Sequence, residues 1–530
     1  MPAGHVIAVD LARVYATDAS GKKKLRRILA WGDPVEVLAV TASRVTVKLT
    51  DFEEETDGGF TPVPLEGFIE RPKAPLKTAD VVVPRKDSRV LRVDFVDVQQ
   101  GDGAVVETPD GKVVLVDGGD NQLFARYLAS RFRGTRDDRP REIDCILVTH
   151  GDADHFLGLV EIHRSEAEAR LPAKKRLFVH PARVYHNGLV KRPRKGHKEA
   201  ELLGRTRTVK DPATGKDVTL LTGLEEDLLA VPDSEMNEPF LAWKQTLQAW
   251  RKRGAIRFRR LARGDDAAFD FLASEGVTVE VLGPIPTRVG AVEGLKFLGR
   301  PRPGPRIGHE SLDLGSKGFG GKSAAHTING HSIVLRLRYG GFHFLFAGDL
   351  NDEAERALTS AHNRGELSLQ SEVLKVPHHG SADFSGAFLQ AVAPVVSVVS
   401  SGDESARKEY IHPRATLMGA LGRYGRLEEP LVLVTELAAF FSIEGFVDPR
   451  FHELTAAGRK AAKSGERVLD PARRGRFFAL SRTAFGLVMV RTDGQRLLVF
   501  TNSGLSSLKE AYAYRLDSWG KPEPAALRQA

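Results

Sequence analysis

Four residues of the kinds that bind divalent cations crowd into six positions of ILVTHGDADHFLG: His150, Asp152, Asp154 and His155. Alternate residues of a tight loop turn to a common side, so imidazoles and carboxylates at this spacing can grip a metal ion. Two other segments end in residues of the same kinds. FHFLFAGDL closes on Asp349, a carboxylate able to bridge two ions, and EVLKVPHHGS closes on His378 and His379. Each has a plainer explanation: a helix N-cap before NDEAERAL for Asp349, a polar turn for the histidine pair, an acidic surface turn for the first cluster. A metal centre draws its ligands from separate strand ends, and here three such ends reinforce one another.

The elements that must position these residues begin at about residue 89. LRVDFVDV, AVVETP, KVVLVDGG and IDCILVTH are short apolar strands, and LFARYLASRF has helical spacing. Strand texture returns at SIVLRLRYGGFHFLFAGDL, SEVLKVPHHGS and APVVSVVSSGD, which reads as an α/β layered domain over 89–440. Within it, 160–325 reads mainly as an insertion. Ahead of it, 1–75 reads as a small β-barrel whose GGFTPVPLEGFIERP resembles the end of a Src-homology-3-like barrel, and 76–88 as a Pro- and charge-rich linker. Such a barrel would hold a substrate or a protein partner, and a chain begun near Arg85 would stay folded. Residues 441–530 read as a C-terminal β-containing extension with a hairpin turned at Asp493-Gly494.

With 530 residues, 42% of them hydrophobic and 28% charged, the chain can bury a core, which argues against disorder or a collagen-like fibre. A lone cysteine, Cys145, excludes internal disulfides and Cys-rich zinc modules and suits a reducing, cytoplasmic location. No apolar run approaches the roughly 18–20 residues that span a bilayer, so no membrane association is expected. A net charge of +8 is mild, compatible with a polyanionic partner without demanding one. Charge is concentrated in KRPRKGHK, where Lys191, Arg192, Arg194 and Lys195 could contact phosphates, and in RKRGAIRFRR, where Trp250 and Phe258 could stack on bases. Solvated helix faces with the aromatics packed inward account for them equally well. GFGGKS lacks the first glycine and the preceding strand of a phosphate loop, and His186 and His197 read as solvated.

Five blocks, LRVDFVDVQQGDGAVVETPDGKVVLVDGG, ILVTHGDADH, HSIVLRLRYGGFHFLFAGD, LKVPHHGSADFS and YIHPRATLMGAL, follow in the order of the metallo-β-lactamase superfamily. They most resemble the soluble domain of ComEC-type DNA-uptake proteins. The resemblance implies an αββα sandwich and two divalent ions, zinc or manganese. His150 and Asp152 would hold one, Asp154 and His155 the other, Asp349 would bridge and His379 would complete the set. Asp152 stands where most of the superfamily has histidine, a harder donor that makes manganese a rival to zinc. Asp117 would support the ligand loop by hydrogen bonds. His378 would do no more than support, since on a regular strand it points away from His379. Of His326, Asn329 and His331, Asn329 would line the pocket. Gln99 and Ile411 depart from the family's glycines.

The implied activity is a metal-dependent phosphodiesterase or nuclease acting on DNA, Asp154 serving the reacting water, His412 protonating the leaving group and Lys375 neutralising phosphate charge. Fold alone does not choose the substrate, so a hydrolase of a small lactam, thioester or phosphodiester is the rival within the fold. A nucleic-acid or partner-binding protein with a structural metal site is the rival outside catalysis.

Overall fold

In the computed structural model the described residues are 4–18, 20–54, 60–72, 75–172, 175–299, 323–402, 412–438, 440–447, 477–484, 486–502 and 508–530. Two sheets face each other across the main core. One has ten strands, in the order Arg257–Arg260, Arg183–His186, Cys145–Leu147, Val113–Asp117, Gly103–Glu107, Leu91–Val96, Leu487–Thr492, Arg496–Asn502, Leu508–Leu516 and Pro522–Ala525. The other has six: Val277–Gly283, Val334–Tyr339, Phe342–Phe346, Val373–Lys375, Val396–Val399 and Leu431–Val434. Val93, Val116, Leu335, Phe344 and Val396 fill the space between them, and Phe95 stacks on Phe346 with centroids 5.9 Å apart.

Helices cover the outer faces. Leu123–Arg131, Ala153–Ala167 and Glu238–Arg251 pack on the first sheet, and Asp352–Asn363, Gly386–Val392 and Ala415–Tyr424 on the second. Strands buried on both faces need apolar residues at every position, which is why VVLVD and VSVV show no alternation. The fold is thus an αββα sandwich, as the sequence implies.

Three boundaries differ from the sequence reading. Arg183–His186, Arg257–Arg260 and Val277–Gly283 lie within 160–325 yet are strands of the two large sheets, so only the parts between them are inserted. Among those parts is a four-stranded sheet ordered Thr206–Lys210, Asp217–Leu221, Val292–Lys296, Thr287–Val289. The last strands are no appendage either. Leu487–Thr492 runs antiparallel to Leu91–Val96 inside the ten-stranded sheet. The supposed linker includes Val82–Pro84, a strand paired with His5–Ile7, preceded by the fully buried Val81.

The N-terminal residues form a seven-stranded sheet around Val14, Val45, Val47 and Ile69, and it is tied to the rest of the chain. Asp10, fully buried, accepts from the Arg496 Nε at 3.0 Å and from the Arg528 backbone N–H at 2.7 Å. Trp31 packs with Val90, Leu498 and Phe500. Removing residues 1–84 would leave two arginines without their carboxylate and expose that apolar cluster. Against the expectation from sequence, a chain beginning at Arg85 should melt at a lower temperature than the full chain. An unchanged melting temperature in differential scanning fluorimetry would show the sheet to be detachable.

Candidate metal centre

The ligand-type residues meet at one edge of the sandwich, where strands of both sheets end. Cys145–Leu147 runs into Thr149-His150, and the helix Ala153–Ala167 starts directly after Asp152. The opposite sheet sends in Asp349 after Phe342–Phe346 and the histidine pair after Val373–Lys375. Close approach of these loops depends on missing side chains. A Cβ on Gly101, at φ +98°, would lie 1.7 Å from the carbonyl oxygen of Asp154.

Among the described residues, four groups of donor atoms overlap on the same residues: His150, His155 and Asp349; Asp154, His155 and His379; Asp102, Asp349 and His379; Asp102, Asp117 and His155. In each group the atoms lie within 4.8 Å of one another. Two histidines are oriented by carboxylates behind them. His155 Nδ1 lies 2.9 Å from Asp117 Oδ2, and His379 Nδ1 lies 3.1 Å from Asp102 Oδ1. Their Nε2 atoms therefore face Asp349, at 3.3 and 3.1 Å. Fixing one ring nitrogen on a carboxylate presents the other to a metal. Asp117 is held in turn by the backbone N–H and hydroxyl of Thr149, at 2.7 and 2.8 Å.

These residues fit a cation. His150 Nε2, His155 Nε2, His379 Nε2 and Asp349 Oδ1 are buried with no hydrogen-bond partner, a concentration that ordinary protein interiors avoid. The electrostatics agree. Burial opposes the charging of His155, but Asp349 and Asp117 carry its pKa well above the usual imidazole value, and Asp349 and Asp102 lift His379 to about 10. Burial also opposes ionisation of Asp349, yet His379 and His155 hold its carboxyl well below the carboxylate range. Positive charge is demanded here, by protons in the metal-free chain or by a metal in their place.

Not every sequence-predicted residue joins the cluster. Asp152 belongs to none of the four groups; its carboxylate is in close contact with the ammonium of Lys191. Lys375, only 4% exposed, pairs with Asp102 and so steadies the carboxylate behind His379 rather than facing a substrate. His378 and His379 lie in a tight turn, not a strand, with φ of 49° and 53°. The strand argument for their opposite directions therefore fails, although His379 is the buried one and His378 Nε2 stands 4.0 Å from Asp349. Left-handed backbone at two successive non-glycine residues costs on the order of 1–3 kcal/mol each and is characteristic of functional sites.

Asn329 reaches the site's rim, its Nδ2 3.4 Å from His378 Nε2, whereas His331 turns to the carbonyl of Lys296 and His326 to Glu353. His412 packs beside His378, ring centroids 5.7 Å apart. Burial, with His378 and His379 nearby, pushes its pKa down to about 4, so at neutral pH it is not the stocked acid that protonating a leaving group requires. Asp102 was missed from sequence, where QGDG reads as a turn. Its role depends on Lys375, 273 positions away.

The basic patches spend much of their charge internally. Arg192 pairs with Glu235 at 2.7 Å and Arg194 with Glu199 at 3.6 Å. Arg253 binds Asp137 and Glu166, Arg260 binds Glu226, and Trp250 is fully buried, unable to stack on a base. Lys195 is exposed.

Residues 96–234 match the family described as the metallo-beta-lactamase superfamily. The chain is similar to competence protein ComA of Neisseria gonorrhoeae, with 39% identity over 98 residues, 18% of this chain and 13% of that protein. It is also similar to ComE operon protein 3 of Bacillus subtilis (strain 168), with 31% identity over 97 residues, 18% of this chain and 12% of the relative. The chain thus spans only a small part of the length of the curated relatives it matches. No helix among the described residues is long and apolar enough to cross a membrane.

Proposed function

We propose that this chain, a ComEC-like protein of the metallo-beta-lactamase superfamily, is a metal-dependent phosphodiesterase that cuts DNA. The observation that carries the reading is the cluster of three imidazoles and two carboxylates, His150, Asp154, His155, Asp349 and His379, with its imidazole Nε2 atoms unsatisfied and converging. Carboxylate donors beside imidazoles suit manganese as well as zinc. When bound, a divalent ion supplies Lewis acidity toward a phosphoryl oxygen and a nucleophile at neutral pH. The chain's own residues do the positioning. Asp117 holds His155 Nδ1 and so leaves Nε2 open, Asp102 stands 3.1 Å from His379 Nδ1, and Lys375 neutralises Asp102 so that it can remain buried. Asp154, steadied by the Gln100 amide at 3.3 Å, is the carboxylate placed to take a proton from the attacking water. Asn329 and His378 line the rim where the phosphodiester would enter.

DNA as substrate is supported by the competence proteins that the chain resembles. One observation favours a second reading, hydrolysis of a small phosphodiester: Arg192, Arg194, Arg253, Arg259 and Arg260 of the basic stretches are paired with the protein's own carboxylates. The same assay separates the two. Full-length protein reloaded with manganese or zinc is incubated with linear, circular and single-stranded DNA, RNA, bis-p-nitrophenyl phosphate and a β-lactam. Cleavage of DNA abolished by chelator is expected. Turnover of the small diester alone would favour the second reading, and turnover of the lactam alone would remove phosphoryl chemistry altogether. Neutralising Lys191, Arg192, Arg194 and Lys195 together tests the first basic stretch. Because three of these four cations are already paired, the log–log salt slope of DNA binding should change by far less than the roughly 0.9 per lost contact of free phosphate-binding cations.

A further inference from the structure

The pairing of Lys191 with Asp152 puts a protein cation where the ligand pattern would put a metal. Asp152 follows His150 by two residues and caps the helix Ala153–Ala167 in position only, since its side chain makes no capping hydrogen bond. That carboxylate is turned to the Lys191 ammonium instead. Lys191 does not arrive there on a loose tether. Its carbonyl accepts from the Asn237 N–H at 2.9 Å, and the following N–H of Arg192 donates to the Leu202 carbonyl at 2.8 Å. Leu189 and Val190 just before it are buried. The segment is fastened to the sheet framework by Asn187, whose Nδ2 donates to the His331 carbonyl at 3.0 Å.

The remaining donors overlap on one centre. His155 and Asp349 each occur in more than one of the triads, as does His379, while Asp152 occurs in none among the described residues. Toward a second ion the chain offers His150, whose group borrows His155 and Asp349 from the first set, and an Asp152 whose charge is already matched. An ammonium and a divalent ion sharing one carboxylate would repel each other, so each disfavours the other's presence.

We propose that Lys191 takes the place of the second metal ion: the centre holds one divalent cation, at His155, Asp349, His379 and Asp154, and the Lys191 ammonium neutralises Asp152 beside it. The lysine is then a positioning residue that holds the Asp152 carboxylate, at the start of the helix Ala153–Ala167, beside His150. This rests on the presence of a metal centre and is independent of whether the substrate is DNA.

The test counts ions. Full-length protein is stripped with chelator, reloaded with manganese or zinc, desalted and analysed by mass spectrometry for metal per chain. About one tightly held ion is expected for the parent and for Asp152→Asn. Lys191→Met, which frees the carboxylate, is expected to raise the count to about two. Two tight ions in the parent, with one lost in Asp152→Asn, would overturn the proposal, and so would a folded Lys191→Met protein that still holds only one. Should near-ultraviolet circular dichroism show Lys191→Met to be unfolded, the parent and Asp152→Asn counts decide alone. DNA cleavage by the same preparations is read separately. One ion without cleavage leaves the lysine's role standing and removes the nuclease reading, whereas two ions with cleavage do the reverse.

Discussion

Asparagine at position 349 is expected to cost the protein its metal and its hydrolytic activity together. Asp349 faces the Nε2 atoms of both His155 and His379, and its carboxylate is held ionised by them. Loss of a hydrogen-bond partner one step behind a ligand typically weakens metal binding by about 10–100-fold. Removing the shared ligand itself should exceed that, and Asp102→Asn, which loosens His379 and leaves the buried Lys375 without its carboxylate, should fall within it. His378→Ala supplies the contrast, because that ring lies at the rim and should leave affinity nearly unchanged. Isothermal titration with manganese checks the series. Equal losses for His378→Ala and Asp349→Asn would mean that the centre has been assigned to the wrong residues.

The second large effect concerns stability. Asp94 is completely buried in the ten-stranded sheet and takes hydrogen bonds from Arg491 Nη1 at 2.7 Å and the Tyr127 hydroxyl at 2.6 Å, with Arg131 also in contact. Arg131 reaches on to Glu107 at 2.5 Å. Arg491 comes from the strand Leu487–Thr492, so this network fastens the C-terminal part of the chain to the strand Leu91–Val96. Breaking a buried pair by removing one partner costs about 3–5 kcal/mol, because the remaining charge stays out of water. Arg491→Met should destabilise the fold by about that amount in denaturant unfolding, the Arg131 contact keeping it toward the lower end.

The pH dependence follows from the same groups. Burial works against the charged form, yet Arg131 and Arg92 hold the Glu107 pKa down to about 2, and Arg131 and Arg491 hold Asp94 below the carboxylate range. A depressed carboxyl pKa means stability that is complete above the unfolded value and lost as pH falls toward the folded one. For Glu107 that window runs from the usual 4.5 down to about 2. Arg491 acts on Asp94, so as pH falls below the usual 3.8 of that carboxyl the parent should lose more stability than Arg491→Met does. Parallel acid unfolding curves would show that the network carries no such linkage.

The ligand loop was legible in the chain by itself. HGDADH, the Asp349 strand end and His378-His379 each combine metal-binding residue types with a local apolar run, and both signals are written within a few positions. The apolar strands likewise announced an α/β layered domain. What the sequence could not decide was which charges would neutralise which. Lys191 and Arg192 look from their neighbours like a phosphate-binding run, but their partners are Asp152 and Glu235, brought close only by folding. Asp102 looks like a turn residue until Lys375 and His379 arrive from the opposite sheet. Leu487–Thr492 was recognisable as one arm of a hairpin, whereas its pairing with Leu91–Val96 was not. Strand propensity and ligand chemistry are properties of short segments, while ion pairing and sheet order depend on distances that only the closed tertiary structure sets.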